Sequence, residues 1–348
     1  LFFWFVLNGI ASAVIYTTNF FTTPKPCAFV IANEKKWSES YFNELVNIKA
    51  EWTPYLVWKC KPTQGKYINV DNNSIRATKN YHKSGIKIFM FGGSTMWGNG
   101  ARDDYTIPSF VAHYLNEKGI VANITNYGET GHGSTQEVLK LLLLLREGKR
   151  PDYVIFYDGF NDTVGGYQSG VAGFPLSAPR RHQEFNMSRR YNKLGRAFTK
   201  ATLQKFPVCF VVNDLLWYFR VKGSSVVKSR MDLDRQIVEK YLQNVSTVKQ
   251  LAKIYGFKAF FYWQPTLESK TNRTMFEKTL FEEGFSYHNG LTGVYKVFKE
   301  KSPQGIVNLD DALKDHEGTL FYDWIHILEQ GNGIIGKRMS GDIFQTIK

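Results

Sequence analysis

The chain has 348 residues but only three cysteines, Cys27, Cys60 and Cys209, and no Cys-x-x-Cys. A disulfide framework and a thiol-built zinc site are both excluded, although a single Cys27–Cys60 bridge stays open. The histidines other than His326 (His82, His113, His132, His182, His288 and His316) show no metal-ligand spacing, so neither a metal nor a cofactor is expected. Internal repeats and low-complexity tracts are missing too. What the chain does have is 43% hydrophobic and 22% charged residues, the balance of a folded protein with a sizeable core in one large domain or two small ones. Aromatic residues reach 16%, which suits a β-containing core or a surface apposed to a membrane.

Charge is absent from Leu1 to Phe21, a stretch about as long as a helix needs to cross a bilayer. We expect a transmembrane anchor over 1–21, followed by a linker that opens with Thr22-Thr23-Pro24-Lys25-Pro26. A signal peptide ending near Ala11-Ser12-Ala13 and a buried core helix are the competing readings. The anchor predicts a single-pass protein whose remainder lies on the extracytoplasmic side. Sequons begin at Asn72, Asn123, Asn161, Asn186, Asn244 and Asn272, weak support for a secretory route because one of them falls in the candidate site described below.

Residues 22–85 read as linker and upstream extension with no clear strand pattern, except that Tyr67-Ile68-Asn69-Val70 suits an edge strand ahead of an Asp-Asn-Asn turn. The formal charge of +13 is uneven, for Arg180 to Arg230 holds twelve Lys/Arg against Glu184 and Asp214 alone. This reads as a basic insertion over 165–230. With its apolar run around Phe210, Trp217 and Phe219 it could meet an anionic surface or a protein partner, or be a solvated cover over a core helix. Nucleic acid is not an expected partner, since no binding motif is present.

From residue 86 onward, short apolar runs alternate with helical patterns, the signature of a parallel sheet covered by helices on both faces. Strands are predicted over 86–91, 122–127, 153–157, 257–263 and 306–309. Helices are predicted over 107–118, 135–147, 232–255, 275–301 with a break near Gly290, and 333–347.

In such sheets ligands gather beyond the carboxyl ends of the strands. Those ends carry Gly92-Gly93-Ser94-Thr95, Tyr127-Gly128-Glu129, Asp158-Gly159-Phe160-Asn161-Asp162 and, before the last helix, Asp323-Trp324-Ile325-His326. Each piece alone is a common loop. Together they supply acyl transfer: Ser94 as hydroxyl nucleophile, His326 as base, Asp323 to orient it, and the Ser94 N–H, the Gly128 N–H and the Asn161 amide as oxyanion donors. His132, Trp263 and Gln264 lie near these ends in sequence and are candidates for shaping the substrate pocket.

The ordered set Gly-Gly-Ser94, Gly128, Gly159-x-Asn161-Asp162 and Asp323-x-x-His326 resembles the SGNH hydrolases, also called the GDSL family, over about residues 86–345. The resemblance implies a three-layer α/β/α sandwich with a five-stranded parallel sheet, flavodoxin-like, over 86–348. It also implies a Ser/His/Asp triad acting on acyl esters of glycans, lipids or small acyl compounds. The family more often has Gly-Asp-Ser where this chain has Gly-Gly-Ser, and the basic insertion is not a general family feature. A G-x-S-x-G elbow is missing, against an α/β-hydrolase, and the glycines at 128, 131 and 133 are in the wrong order for a dinucleotide loop. The expected function is a membrane-anchored extracytoplasmic serine esterase that hydrolyses or transfers an acyl group, such as acetyl, on an envelope glycan or lipid. The alternative is a catalytically idle accessory subunit of a membrane assembly.

Overall fold

The computed structural model describes residues 37–188 and 230–347. The anchor expected over 1–21, Cys27, Cys209 and most of the basic stretch lie outside the described residues. Among those described, no helix is long and apolar enough to cross a membrane. The chain divides into two compact units, Ala28–Leu176 with Arg230–Lys348, and Leu1–Cys27 with Ser177–Ser229. Of the second unit only residues 177–188 are described, chiefly a helix over Ala178–Ser188.

The first unit opens with helix α1 (Ser38–Val46) and two antiparallel ribbons, β1 (Ala50–Thr53) with β2 (Val57–Cys60) and β3 (Thr63–Gln64) with β4 (Asn69–Val70). Then come β5 (Ile86–Gly92), α2 (Ser94–Trp97), α3 (Ile107–Glu117), β6 (Ala122–Asn126), α4 (Ser134–Arg146), β7 (Tyr153–Asp158) and α5 (Phe160–Ser169). After the second unit's helix, taken as α6, the chain continues through α7 (Arg230–Tyr255), β8 (Lys258–Trp263), α8 (Met275–Glu283), α9 (His288–Lys301), β9 (Val307–Asn308) and α10 (Glu329–Ile347).

Strands β5 to β9 form one parallel sheet in the order β6-β5-β7-β8-β9. Alternate residues of its central strands feed opposite cores, as period-two side chains must. Ile88, Met90 and Ile155 pack with Ile107, Val111 and Leu115 of α3 and Ile335 and Met339 of α10. Phe89, Phe91 and Phe156 pack with Leu141 of α4, Ile237 and Val248 of α7 and Leu291 and Phe298 of α9. Each buried side chain of this size contributes roughly 1.5 to 3 kcal/mol. The layers are therefore α/β/α, as the sequence pattern and the family resemblance implied. The strand order reverses between β5 and β7, so ligands should gather at their carboxyl ends.

Several expectations need correcting. The break in the 275–301 helix falls at Gly284, whose φ of +76° ends α8, whereas Gly290 lies inside α9 with its Cα against the Tyr167 ring. Residues 165–176 group with the first unit. The upstream extension is folded from residue 38 onward. Asn69–Val70 does form a strand, followed by a turn in which the Asp71 carboxylate accepts the N–H groups of Asn73 and Ile75. The side chains of the extension reach into the sheet unit: buried Arg76 ion-pairs with Asp103 and donates to the carbonyls of Gly98 and Ala101, and the Tyr41 hydroxyl donates to Gly98 O and accepts from the N–H of Gly100.

Candidate active site

Strand β5 ends at Gly92 and the next residue is Gly93, and at both a side chain would crowd its neighbours. A Cβ on Gly92 would lie 2.6 Å from Met96 Cβ, and one on Gly93 would lie 2.1 Å from Asn161 Nδ2. The chain can therefore turn at once into α2 and present Ser94 at its first position. There the Ser94 N–H has no acceptor within its own helix.

His326 and Asp323 arrive on a hairpin in which Tyr322 N–H donates to His326 O and Leu328 N–H to Leu320 O. His326 Nε2 is 2.6 Å from Ser94 Oγ, and His326 Nδ1 is 2.6 Å from Asp323 Oδ2. The other carboxylate oxygen, Oδ1, accepts the N–H groups of Ile325 at 2.9 Å and His326 at 2.7 Å. That is the physical content of the Asp-x-x-His spacing: one oxygen closes the turn and the other orients the ring. With the proton on Nδ1, the Nε2 lone pair faces the Ser94 hydroxyl. Burial alone would raise the Asp323 carboxyl, but the His326 ring and the two N–H donors outweigh it and hold it below the usual carboxylate range. The Tyr322 ring stacks on His326 at 5.4 Å, and Phe42 of α1 packs edge-on against Tyr322. Neither contact is legible in the sequence: Phe42 lies far up the chain from Tyr322, and Tyr322 meets His326 only because the hairpin folds back on itself.

The hairpin is anchored from below. Glu277 Oε1 accepts the N–H groups of Leu320 and Phe321, while its Oε2 pairs with Lys270 at 2.5 Å. Both side chains are fully buried. Lys270 Nζ also donates to Gly318 O.

Of the three expected oxyanion donors, the structure leaves two available. The Gly128 N–H donates to Asn126 Oδ1 at 3.0 Å, and the Asn126 amide nitrogen in turn bonds the carbonyls of Met96 and Trp97. Gly128 is needed for close approach, since a Cβ there would lie 2.5 Å from Trp97 N, but its N–H is already engaged. Asn161 donates one amide hydrogen to His132 O at 2.7 Å, which leaves the second beside Gly93 and Ser94. The adjacent Asp162 fixes the start of α4 by accepting the Ser134 N–H and hydroxyl.

The side chains of the three proposed pocket residues are engaged elsewhere. Trp263 is fully buried and stacked on Phe298 at 4.1 Å; a sheet-centre position next to a large helix core, rather than a pocket wall, is what β8 offers it. Gln264 is buried and accepts the Thr95 hydroxyl at 3.1 Å, so it supports α2 from within. His132 is buried, with Nε2 3.0 Å from Trp58 O. A surface cavity of about 710 Å³ lined by Thr63, Asn69, Asp71, Arg76, Asn80 and Ile124 lies along β6 and includes no triad residue. Among the described residues no three His, Cys, Asp or Glu side chains gather as a metal would require.

No family model and no curated protein matches this chain. Among solved structures it is similar to an acetyl xylan esterase, AlAXEase, at 13% identity over 74% of this chain and 100% of that one, with a TM-score of 0.38. A carbohydrate acetylesterase family member from Sinorhizobium meliloti shares 10% identity over 75% of this chain and 98% of that one, with a TM-score of 0.39. The inhibitor-bound aryl esterase of M. smegmatis shares 15% identity over 75% and 99% of the two chains, with a TM-score of 0.39.

Proposed function

We propose that the chain is a serine acyl hydrolase of the SGNH type. The reading is carried by one observation, the unbroken relay Ser94 Oγ, His326 Nε2, His326 Nδ1, Asp323 Oδ2 with both links at 2.6 Å. Ser94 Oγ attacks the ester carbonyl carbon while His326 Nε2 takes its proton, and Asp323 stabilises the resulting imidazolium. The carbonyl oxygen becomes an oxyanion held by the Ser94 N–H and the second Asn161 amide hydrogen. The carbon–oxygen bond to the alcohol then breaks, and the alcohol leaves with the proton from His326. Water attacks the acyl-Ser94 ester, His326 accepts its proton, and the carboxylic acid departs as Ser94 is restored. An acceptor hydroxyl in place of that water would make the protein a transferase.

The substrate is proposed to be an acylated glycan or lipid, and the protein to be held at an extracytoplasmic membrane face by residues 1–21. The test of the chemistry is a fluorophosphonate probe on the full chain. It should label the folded wild type and not Ser94→Ala; labelling of both, or of neither, overturns the reading. The accessory-subunit reading draws on the Gly128 N–H being bonded to Asn126. It is favoured if folded wild type neither labels nor hydrolyses p-nitrophenyl acetate.

A further inference from the structure

Asn161 can serve the oxyanion only if its nitrogen, not its oxygen, faces Ser94, and nothing intrinsic to a side-chain amide makes that choice. Here the choice is made by a carbonyl. His132 O lies 2.7 Å from Asn161 Nδ2 and would lie 3.2 Å from a Cβ on Gly93, so it sits where the amide meets the nucleophile's turn. A carbonyl only accepts, so the amide oxygen turned toward it would be repelled.

The His132 peptide is held in turn by the upstream ribbon. His132 Nε2 donates to Trp58 O at 3.0 Å, and the two rings meet edge to face at 5.1 Å. Trp58 Nε1 donates to Thr130 O at 2.7 Å, Cys60 N–H to Glu129 Oε2 at 2.9 Å, and Gln136 Nε2 to Leu56 O at 2.6 Å. Residues 129–136 are thus fixed on both sides of position 132 by β2 and the residue just before it.

We propose that His132 is a positioning residue, locked to the ribbon through Trp58, that sets the orientation of the Asn161 amide beside Ser94. The inference rests on the acyl-transfer reading above for its kinetic consequence, but its structural content is separable. Without the His132 side chain the 132 carbonyl shifts, and Asn161 loses the contact that turns its nitrogen toward Ser94.

The test compares His132→Phe, which keeps the volume and loses the donor, with His132→Gln, which keeps an N–H donor. On p-nitrophenyl acetate, His132→Phe should lower kcat roughly 10 to 100 fold, less than the roughly 100 to 1000 fold for deleting an oxyanion donor, with KM within about twofold. His132→Gln should recover most of that loss, and His132→Phe should cost nothing further in an Asn161→Ala background. Should His132→Phe fold poorly, Trp58→Phe removes the bond to Thr130 from the ribbon side and should lower kcat in the same way. A readout independent of turnover is the Asn161 side-chain amide resonance in selectively 15N-Asn-labelled protein. It should move in His132→Phe and return in His132→Gln. If wild type fails to label at Ser94 yet this resonance moves, the esterase reading falls and the positioning role stands. If Ser94 labels while kcat and the Asn161 resonance are unchanged in His132→Phe, or the losses from His132→Phe and Asn161→Ala add, the positioning role is overturned.

Discussion

The amide nitrogen of Asn161 occupies the space beside Gly93 so closely that a Cβ on that glycine would come within 2.1 Å of it. In this structure a side chain at position 93 would have to displace that amide. Gly93 has φ −76° and ψ −152°, an ordinary extended conformation, so the glycine serves space and not backbone freedom. Gly93→Asp should therefore impair the site instead of improving it, pushing the Asn161 amide away and setting a carboxylate beside the forming oxyanion. We expect kcat to fall by at least roughly 100 fold with little change in thermal midpoint. Activity at or above wild type in Gly93→Asp would refute this account of the contact.

Asp323 has two tasks on two oxygens, and an amide can perform only one. Asp323→Asn would retain an oxygen for the N–H groups of Ile325 and His326 and would place an NH₂ against His326 Nδ1. The ring must then accept at Nδ1, carry its proton on Nε2 and face the Ser94 hydroxyl with a donor. The expected result is a kcat loss on the order of 10⁴ fold with the fold intact. A loss of less than tenfold would mean that the carboxylate does not set the tautomer.

The legibility of this protein was uneven for a physical reason. Buried parallel strands such as Tyr153–Asp158 are apolar along their length up to the last residue, and the triad segments lie near strand ends, so both leave local marks. Ser94, His326 and Asp323 are brought together as that pattern implied. The extension left no such mark: its ribbons are two to four residues long, and its ties to the site are pairs such as Tyr41 with Gly100 and Cys60 with Glu129, 59 and 69 residues apart. Trp263 was misjudged because a strand's last residue can face a core as readily as a cleft. Gly128 was misjudged because nothing in the sequence says that Asn126, two residues earlier, takes its N–H.

Lys270 and Glu277 form a fully buried ion pair whose carboxylate also receives the backbone of the triad hairpin. Removing one member leaves the other charge buried without its partner. Lys270→Met should lower stability by roughly 3 to 5 kcal/mol, measured by urea unfolding. Glu277→Gln should do the same and should also lower kcat, because one amide oxygen cannot serve Leu320, Phe321 and Lys270 together. The double variant Lys270→Met with Glu277→Leu should be less destabilised than the sum of the two single changes. Strict additivity would show that the pair is not coupled.

The pH dependence of stability should be set in part by a buried acid cluster behind the Asn161 turn. Glu137 and Asp158 are both buried, and their carboxyls lie close enough to interact directly. Burial raises both carboxyls well above their ordinary range; Asp158 and Asp162 raise Glu137 further, and Asp162 raises Asp158. Asp162 is itself raised by burial, against the opposing bonds from Ser134, and the buried Tyr241 hydroxyl feels all three acids. The unfolded chain releases these protons near pH 4, whereas the fold retains them. Stability is therefore fully present below about pH 4 and falls as pH rises toward the raised values, by about 1.4 kcal/mol per pH unit for each retained proton. Glu137→Gln removes one of those protons from the balance. It should leave stability at pH 4 nearly unchanged, raise it at pH 8, and flatten the slope between by about one proton, all read from urea unfolding across that range. An equal effect at both pH values would mean that Glu137 is ionised in the fold.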